Sequence, residues 1–325
     1  MLRIASLIPS GTDLTAALGF ADCLVGVSHE CDHPDAGDLP VLTSSFIPPA
    51  TVDGPSLAPA EIDRLVCESV QAGESLYITD RTLLHGLAPN IVVSQDVCDV
   101  CAVNAEAAAC DIPSGAELVL LTAISIDGLV ADITTLAASL GAPDRGEAVV
   151  AEVRAGLALS RGVAAVPEVA VTVVTLEWSD PPFLGGHWVP ELVEHVGATH
   201  LLSKAGEPSR RSTWDEIAAA DPDVLIFCPC GYDLHQATLE ATALAGTATV
   251  GALRAVRNGR FFAVDANRLL SRCTTAVVEA ADVIARLVQP VEDERFRDVP
   301  MGATRIGAAC GVAASPGAIR NHPTR

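Results

Sequence analysis

Basic residues are scarce in this chain, which has 20 Lys and Arg against 41 Asp and Glu in 325 residues and a formal net charge of −21. Proteins that bind nucleic acid or anionic membrane surfaces need Lys and Arg to neutralise phosphates, so neither partner is expected. Long apolar runs are missing too. No stretch of about 18 or more residues lacks a polar interruption, and we expect no transmembrane helix and no membrane insertion.

The first residues of the chain do not read as an export signal. The stretch 1–8, MLRIASLI, is far too short for a signal peptide, and no cleavage site follows it. The sequence therefore predicts a cytoplasmic protein, unless the natural start lies upstream, and only in that case is an ABC importer an expected partner. Since no oxidising compartment is indicated, the ten cysteines are expected to be thiols.

Fingerprints of nucleotide binding and of hydrolysis are missing as well. The first predicted strand, 4–8, leads to Ser10 and Gly11, in a loop that offers backbone N–H groups and a hydroxyl to a polar ligand. This loop lacks the glycine spacing of a dinucleotide site or a P-loop. Residues 12–13 are expected to cap a helix over 14–18. No nucleophile elbow or Ser-His-Asp order supports a hydrolase, so a non-catalytic protein is expected before an enzyme.

What the chain does contain is an alternation of short apolar strands with amphipathic helices, which is typical of an α/β fold. Strands are predicted at 24–27, 91–94, 117–121, 171–174, 199–202, 224–227 and 261–264, and helices at 126–140, 144–160 and 274–288. This pattern divides the chain into an N-terminal α/β lobe (1–143), a linking helix (144–163), a C-terminal α/β lobe (164–290) and a disordered tail (291–325).

Aromatic residues are few, and they are concentrated. Phe, Trp and Tyr make up 4% of the chain, yet two of its three Trp lie between residues 177 and 188. Gly and Pro pairs there predict a loop that continues neither strand nor helix, before a helix that begins near residue 190. The loop holds Glu177, Trp178, Phe183, His187 and Trp188. One interpretation is a stacking surface for a ligand; the alternative is that the Trp side chains cap the hydrophobic core.

Ligating side chains follow the predicted strand 24–27. The loop 28–34, SHECDHP, contains His29, Glu30 and Cys31 in a row. Packing alone does not explain such a series at a strand end, and a solvated polar loop is the alternative to a binding role.

The strand 91–94 is followed by Gln95 and Asp96 and then by Cys98 and Cys101, a C-x-x-C pair. Such a pair is typical of a redox dithiol or of half a metal site. A structural zinc site would need a second pair at similar spacing, and the chain has none.

Several motifs together resemble a known family. RIASLIPSGTDLTAALG at 3–19, LVGVSHECDHP at 24–34, ADPDVLIF at 220–227 and VRNGRFFAVD at 256–265 are similar to the helix-linked (class III) substrate-binding proteins of vitamin B12, haem and iron-siderophore importers. HECD, QDVCDVCAV, EWSDPPFLGGHWVPEL, PSRRSTW and PCGYD resemble the subgroup labelled cobalamin-binding protein, and the resemblance covers residues 2–290. It implies two Rossmann-like lobes joined by a single long helix, with the ligand cleft between them.

The resemblance also implies a ligand site made of loops that leave the strands of both lobes. By position, its ligand-binding residues are Ser10, Gly11, His29, Glu30, Gln95, Asp96, Glu177, Trp178, Phe183, His187, Trp188, Arg210, Arg211, Tyr232 and Asp233. A flat corrin needs aromatic faces, such as those of Trp178 and Tyr232, and hydrogen-bond partners for its amide rim. His29 or His187 is expected near the cobalt as an axial ligand, or on a rim amide.

Three hypotheses stay open. The first is a non-catalytic protein that binds cobalamin or another corrinoid, in B12 uptake or intracellular handling. The second is a cytosolic metal-binding enzyme or metal-handling protein that holds zinc or iron, with Glu30 or Glu177 as general base. Its expected metal ligands are His29, Cys31, Cys98, Cys101 and His187. The third takes the cysteines as core residues near the hinge.

Overall fold

The first of two lobes is built on a parallel sheet. The computed structural model describes residues 1–47, 57–72, 75–97, 105–163, 171–289 and 299–307. The elements of the first lobe are β1 (Ile4–Ser6), α1 (Pro9–Ala17), β2 (Leu24–Gly26), β3 (Thr43–Ser45), α2 (Pro59–Ala72), β4 (Tyr77–Thr79), α3 (Arg81–Leu87), β5 (Ile91–Gln95), α4 (Ala105–Asp111), β6 (Glu117–Leu121) and α5 (Ile126–Ser139).

The main sheet of this lobe has the strand order β2-β1-β5-β6, with every neighbouring pair parallel. The short strands β3 and β4 form a separate antiparallel pair. The first four residues of β5 are buried, as expected for a parallel strand that is covered on both faces. Because their neighbours run parallel, β1, β2 and β5 have their carboxyl ends at one edge of the sheet.

The second lobe follows a linking helix, α6 (Pro143–Val163). Its elements are β7 (Thr172–Ser179), β8 (Pro182–Leu184), α7 (Val189–His195), β9 (Thr199–His200), β10 (Arg210–Arg211), α8 (Trp214–Ala220), β11 (Val224–Phe227), α9 (Leu234–Ala245), α10 (Ala248–Gly251), α11 (Arg254–Arg257), β12 (Phe261–Val264), α12 (Ala266–Leu269), α13 (Val277–Leu287) and β13 (Ala303–Ile306).

The sheet of the second lobe has the order β10-β8-β7-β11-β12-β13, and β9 pairs with β7. At its centre β7, β11 and β12 are parallel, and every residue of β11 and β12 is buried. The strands β8, β10 and β13 are antiparallel additions on either side. The carboxyl ends of the three central strands therefore also share one edge.

The helix α6 packs against α5 of the first lobe and α13 of the second. Val149, Val150, Val153 and Leu157 form its buried side. Two glycines allow the close approach: a Cβ at Gly146 would lie 2.6 Å from the Cβ of Ala137 on α5, and a Cβ at Gly156 would overlap the side chain of Val278 on α13.

One hydrophobic cluster contains residues of both lobes and of the linking helix, among them Ile4, Val153 and Val173. The lobes are therefore joined by packed side chains as well as by the chain itself. No helix in the described ranges is long and apolar enough to cross a membrane.

The start of α1 differs from the prediction. Residues 12–13 were expected to cap this helix, but it begins at Pro9, after Ile8 at the N-cap position without a side-chain bond. Proline fits the first turn of a helix because the N–H that it lacks has no helical partner there. The carboxylate of Asp13 is consequently free for a contact outside α1.

The segment after residue 174 also differs from the predicted loop. The strand β7 continues through Trp178 to Ser179, and the chain returns as β8, with Trp178 opposite Phe183 and Leu176 opposite Leu184. Cross-strand aromatic and aliphatic pairs stabilise such a hairpin. Its prolines lie in the turn and at the first residue of β8, positions that a strand tolerates.

The prediction of a disordered tail over 291–325 is wrong for the four residues of β13. This strand pairs antiparallel with β12, and Ala303 and Ile306 are buried there. Its sequence, ATRI, has two polar residues in the middle and lacks the apolar run of the predicted strands, so local patterning missed it.

Candidate functional site

The carboxyl edges of the two sheets face each other across the junction of the lobes. The segments after β1 and β2 in the first lobe contact the segment after β12 in the second. The hairpin of β7 and β8 contacts the first turn of α2. In open α/β sheets, ligands bind outside the carboxyl ends of the strands. The geometry therefore indicates a site between the lobes.

Arg272 joins the two lobes at one part of this junction. Its Nη1 lies 2.5 Å from Asp32 Oδ1 and 3.6 Å from Asp13 Oδ2, and its Nη2 donates to the backbone oxygen of Glu30 at 3.2 Å. Only 12% of the Arg272 side chain is exposed. Breaking such a half-enclosed pair by removing one partner leaves the other charge poorly solvated.

Carboxylates outnumber cations around this contact. Burial raises the pKa of Asp13 and of Glu30, and Arg272 opposes both shifts. Burial also raises the pKa of Asp265, at the end of β12, and repulsion from Asp233 and Asp32 adds to the shift. These five carboxyl groups, which we call the acidic edge, come from both lobes.

An aromatic pair lies at the carboxyl ends of β7 and β11. The half-buried rings of Trp178 and Tyr232 are 5.6 Å apart in an edge-on arrangement. The indole Nε1 of Trp178 donates to the backbone oxygen of Pro59 at 3.1 Å, a contact between lobes. Burial raises the pKa of Tyr232, and the neighbouring Glu240 carboxylate, to which the neutral phenol is hydrogen-bonded, adds to the shift.

Arg211 makes a further bridge between the lobes. Its Nη2 lies 2.6 Å from Asp63 Oδ1 and 2.8 Å from Cys67 Sγ, both on α2. Its guanidinium carbon lies 5.8 Å from the centre of the Phe183 ring, within the range of a cation–π contact. Arg210, its neighbour, instead pairs with Glu216 inside the second lobe, so the structure separates the two predicted arginines.

His29 is held beside an aromatic ring in the first lobe. Its Nδ1 lies 2.7 Å from the Thr43 hydroxyl oxygen, which also accepts from the His29 backbone N–H. The Tyr77 ring is 5.7 Å away. Burial lowers the pKa of His29, so the imidazole is neutral near pH 7.

The two Trp residues of the predicted stacking loop have different environments. Trp188 is 8% exposed and belongs to the hydrophobic core, so the packing alternative describes it. Trp178 is half-buried at the junction of the lobes. His187 stacks on Trp188 with ring centres 6.0 Å apart, and burial lowers its pKa.

Glu177 is positioned by a close backbone crossing. Its Oε1 accepts from the Gly186 N–H at 3.4 Å, and a Cβ at Gly186 would overlap the backbone of Pro208 and Ser209. Gly186 therefore serves close packing between two loops, and Gly185 serves close packing against Thr175 of β7, rather than exposure to solvent.

The other predicted ligand residues are spread along the edge. Ser10 is half-buried in the first turn of α1, and Gln95 is half-buried at the end of β5, with Asp96 exposed beyond it. A Cβ at Gly11 would lie 2.6 Å from Ser6 Oγ, so Gly11 is required by the packing of α1. Asp233 caps α9, where it accepts from the Gln236 N–H at 2.8 Å.

The predicted metal site is only partly within view. Cys98 and Cys101 lie outside the described residues. Within the described ranges, no group of three or more His, Cys, Asp or Glu side chains could hold a metal ion. The cysteines described there are all free thiols, and Cys31 is half-buried. Zinc or iron binding through His29, Cys31 and His187 with these two cysteines stays a prediction.

Sequence reasoning missed the residues that join the lobes. They are Asp13, Asp63 and Arg272. The sequence predicts that Asp13 caps a helix, and nothing in the local sequence of the other two indicates a partner that lies far away along the chain.

No protein-family model matches the chain, and no curated protein matches it in sequence. Solved structures do. A possible iron-binding (periplasmic solute-binding) protein of Staphylococcus epidermidis has a TM-score of 0.65 at 17% identity, over 89% of this chain and 98% of its own. The periplasmic haem-binding protein RhuT of Roseiflexus has a TM-score of 0.63 at 21% identity, over 88% of this chain and 97% of its own. The chain has the fold of the helix-linked substrate-binding proteins.

The periplasmic vitamin B12-binding protein BtuF of Vibrio cholerae shares this fold, with a TM-score of 0.58 at 18% identity over 88% of this chain and 96% of its own. These three neighbours are all described as periplasmic. The predicted cytoplasmic location is wrong on this finding, which points to an exported protein. The prediction took residue 1 as the start of the protein, which a sequence alone does not establish.

Proposed function

We propose that this chain is a non-catalytic, exported binding protein that holds a corrinoid, such as cobalamin, between its two lobes. The observation that carries the proposal is the pair of Trp178 and Tyr232 at the carboxyl edge of the second lobe, within hydrogen-bond reach of the first lobe. A flat macrocycle buries a large apolar face, for which half-exposed aromatic rings are suited.

The polar residues around this pair fit the rim of such a ligand. Corrin amides need both donors and acceptors; neutral His29 can donate, and the carboxylates of the acidic edge can accept. A rigid, largely preformed arrangement also suits a carrier, because the binding free energy is not used to order mobile loops.

The structural neighbours support a binding role for the fold. They are described as iron-, haem- and vitamin B12-binding proteins, and another is described as an ABC transporter substrate-binding protein. For this chain we propose the corresponding partner, an ABC importer that receives the ligand from the cleft.

The test is an absorbance titration of the purified protein with cyanocobalamin and, separately, with haem. We expect the natural protein to bind the corrinoid, and Trp178→Ala to weaken binding at least about tenfold, or ~1.4 kcal/mol, by removing a stacking face. Trp214→Phe is the matched control, because Trp214 packs against the second-lobe core on α8 and should leave the affinity unchanged.

Two results would contradict the proposal. One is the absence of any spectral change with cyanocobalamin at concentrations well above those of the protein. The other is equal affinity of the natural protein and a correctly folded Trp178→Ala variant, because the aromatic pair would then have no part in binding.

A further inference from the structure

The acidic edge brings five carboxyl groups to the site proposed above. Asp13, Glu30 and Asp32 come from the first lobe, beside Arg272, and Asp233 and Asp265 come from the second. The Asn267 N–H donates to the Tyr232 backbone oxygen at 3.3 Å, which places the segments of Asp265 and Asp233 side by side, and repulsion from Asp233 and Asp32 raises the pKa of Asp265. A ligand at the junction of the lobes therefore meets a surplus of negative charge.

The cations at this junction are already paired. Arg272 contacts Asp32, and Arg211 contacts Asp63. Arg268, on α12, donates to Glu279. Each of these three arginines therefore already has a carboxylate partner.

His29 and His187 do not supply the missing charge. Burial lowers the pKa of both side chains below the ordinary value, so neither imidazole is positively charged at neutral pH. A ligand carboxylate would have to displace a protein carboxylate from an arginine, or lie among like charges, of which Asp13 and Asp265 are half-buried and therefore less screened by water.

We propose that this cleft selects its ligand by charge, and that it takes a macrocycle whose rim carries uncharged amides rather than carboxylates. The inference rests on the proposed function and restricts its ligand class to macrocycles with an uncharged rim. Amide N–H groups of the rim donate to the acidic edge, and each such bond to a charged acceptor is stronger than one between neutral groups. A macrocycle with two ionised propionates, such as haem, is repelled by the same residues.

The experiment compares ligands that differ only in rim charge. Cyanocobalamin is titrated beside its monocarboxylic acid derivatives, in which one rim propionamide is hydrolysed to a carboxylate. We expect at least one derivative to bind about tenfold or more weakly at low salt. The difference should shrink in about 0.5 M salt, because added ions screen the repulsion. Iron protoporphyrin IX and its dimethyl ester provide a second pair, with the uncharged ester binding more tightly.

Variants locate the effect on the acidic edge. Asp233→Asn and Asp265→Asn each remove a charge and keep a side chain that can cap the following helix. Each should reduce the discrimination between amide and carboxylate several-fold. Asp144→Asn, on the exposed first turn of α6, is the control and should preserve it.

The outcomes are distinct. Tight binding of cyanocobalamin with equal affinity for every monocarboxylic acid overturns the charge selection and leaves the proposed function standing. Tighter binding of haem than of its dimethyl ester overturns it as well. If no macrocycle binds at all, the proposed function fails and the selection fails with it.

Discussion

His200 is a buried histidine that makes the stability of the fold depend on pH. It lies at the end of β9, is 6% exposed, and its Nε2 is 2.8 Å from the Thr175 hydroxyl. Burial lowers its pKa from 6.5 to about 4. Between these values the unfolded chain takes up a proton that the folded chain does not, so this contribution to stability is complete above pH 6.5 and is lost as the pH falls toward 4.

When the pH is lowered from about 7.5 to about 5, we therefore expect the free energy of unfolding to fall in both proteins. The fall should be larger by roughly 2 kcal/mol in the natural protein than in His200→Gln. Urea unfolding at the two pH values measures this difference. Other titrating groups are common to both proteins and cancel. Parallel loss of stability in the two proteins would show that His200 takes up its proton in the folded state.

At the residue scale, the sequence indicated residues near the junction of the lobes but not their contacts. Trp178 and Arg211 contact the first lobe, Tyr232 lies beside Trp178, and His29 contacts residues of its own lobe. Trp188 lies in the same aromatic-rich segment, yet it belongs to the hydrophobic core. The scarcity of aromatic residues does not show which of them are buried in the core.

At the scale of single elements, the close contacts of α6 with its neighbouring helices depend on glycines, which have no side chain. Gly156 is pressed against Val278 of α13, whereas Gly86 of α3 has open space where its Cβ would be. Both glycines are helical, so replacing either with Ala gains the same helix propensity, up to ~1 kcal/mol.

Gly86→Ala should therefore stabilise the protein slightly, while Gly156→Ala should destabilise it by about 1–2 kcal/mol, since overpacking outweighs propensity. Thermal or urea unfolding of the two variants beside the natural protein checks this. An equal gain for both variants would mean that α6 and α13 separate without cost.

Element prediction succeeded where the apolar residues form a long helical period or an uninterrupted run. The helices at 126–140 and 144–160 correspond to α5 and to most of α6, and the strand at 224–227 corresponds to β11. It failed at the hairpin of β7 and β8, because Pro and Gly indicate a chain reversal without showing that strands continue on both sides of it.

At the scale of the whole molecule, packing limits how far the lobes can move. The core cluster is continuous through α6, and Glu191 of the second lobe accepts from the Ile126 N–H at the start of α5 at 2.8 Å. With further bridges at Arg272 and Arg211, the lobes are connected on several sides without a ligand.

We accordingly expect ligand binding to change the radius of gyration by less than ~1 Å, as in pre-organised complexes. Small-angle X-ray scattering of the protein with and without saturating ligand measures the change. The variant Arg272→Ala, which removes one bridge, should show a larger change. A decrease of several ångströms in the natural protein would instead indicate hinge closure.

The two-lobed architecture itself was predictable, because alternating strands and helices with one long helix between them admit few arrangements. The contacts that join the lobes were not. Arg272 and Asp32 are 240 positions apart, and a sequence with a large acidic surplus offers Arg272 many equivalent partners.

The pairing of β13 with β12 has a consequence for aggregation. Without Ala303–Ile306, the edge of β12 would present unpaired backbone groups along a strand of four buried residues, Phe261 to Val264. Such an edge is a template for another chain. A chain that lacked β13 would therefore tend to join with copies of itself through this edge, so β13 covers the edge of the sheet against such association.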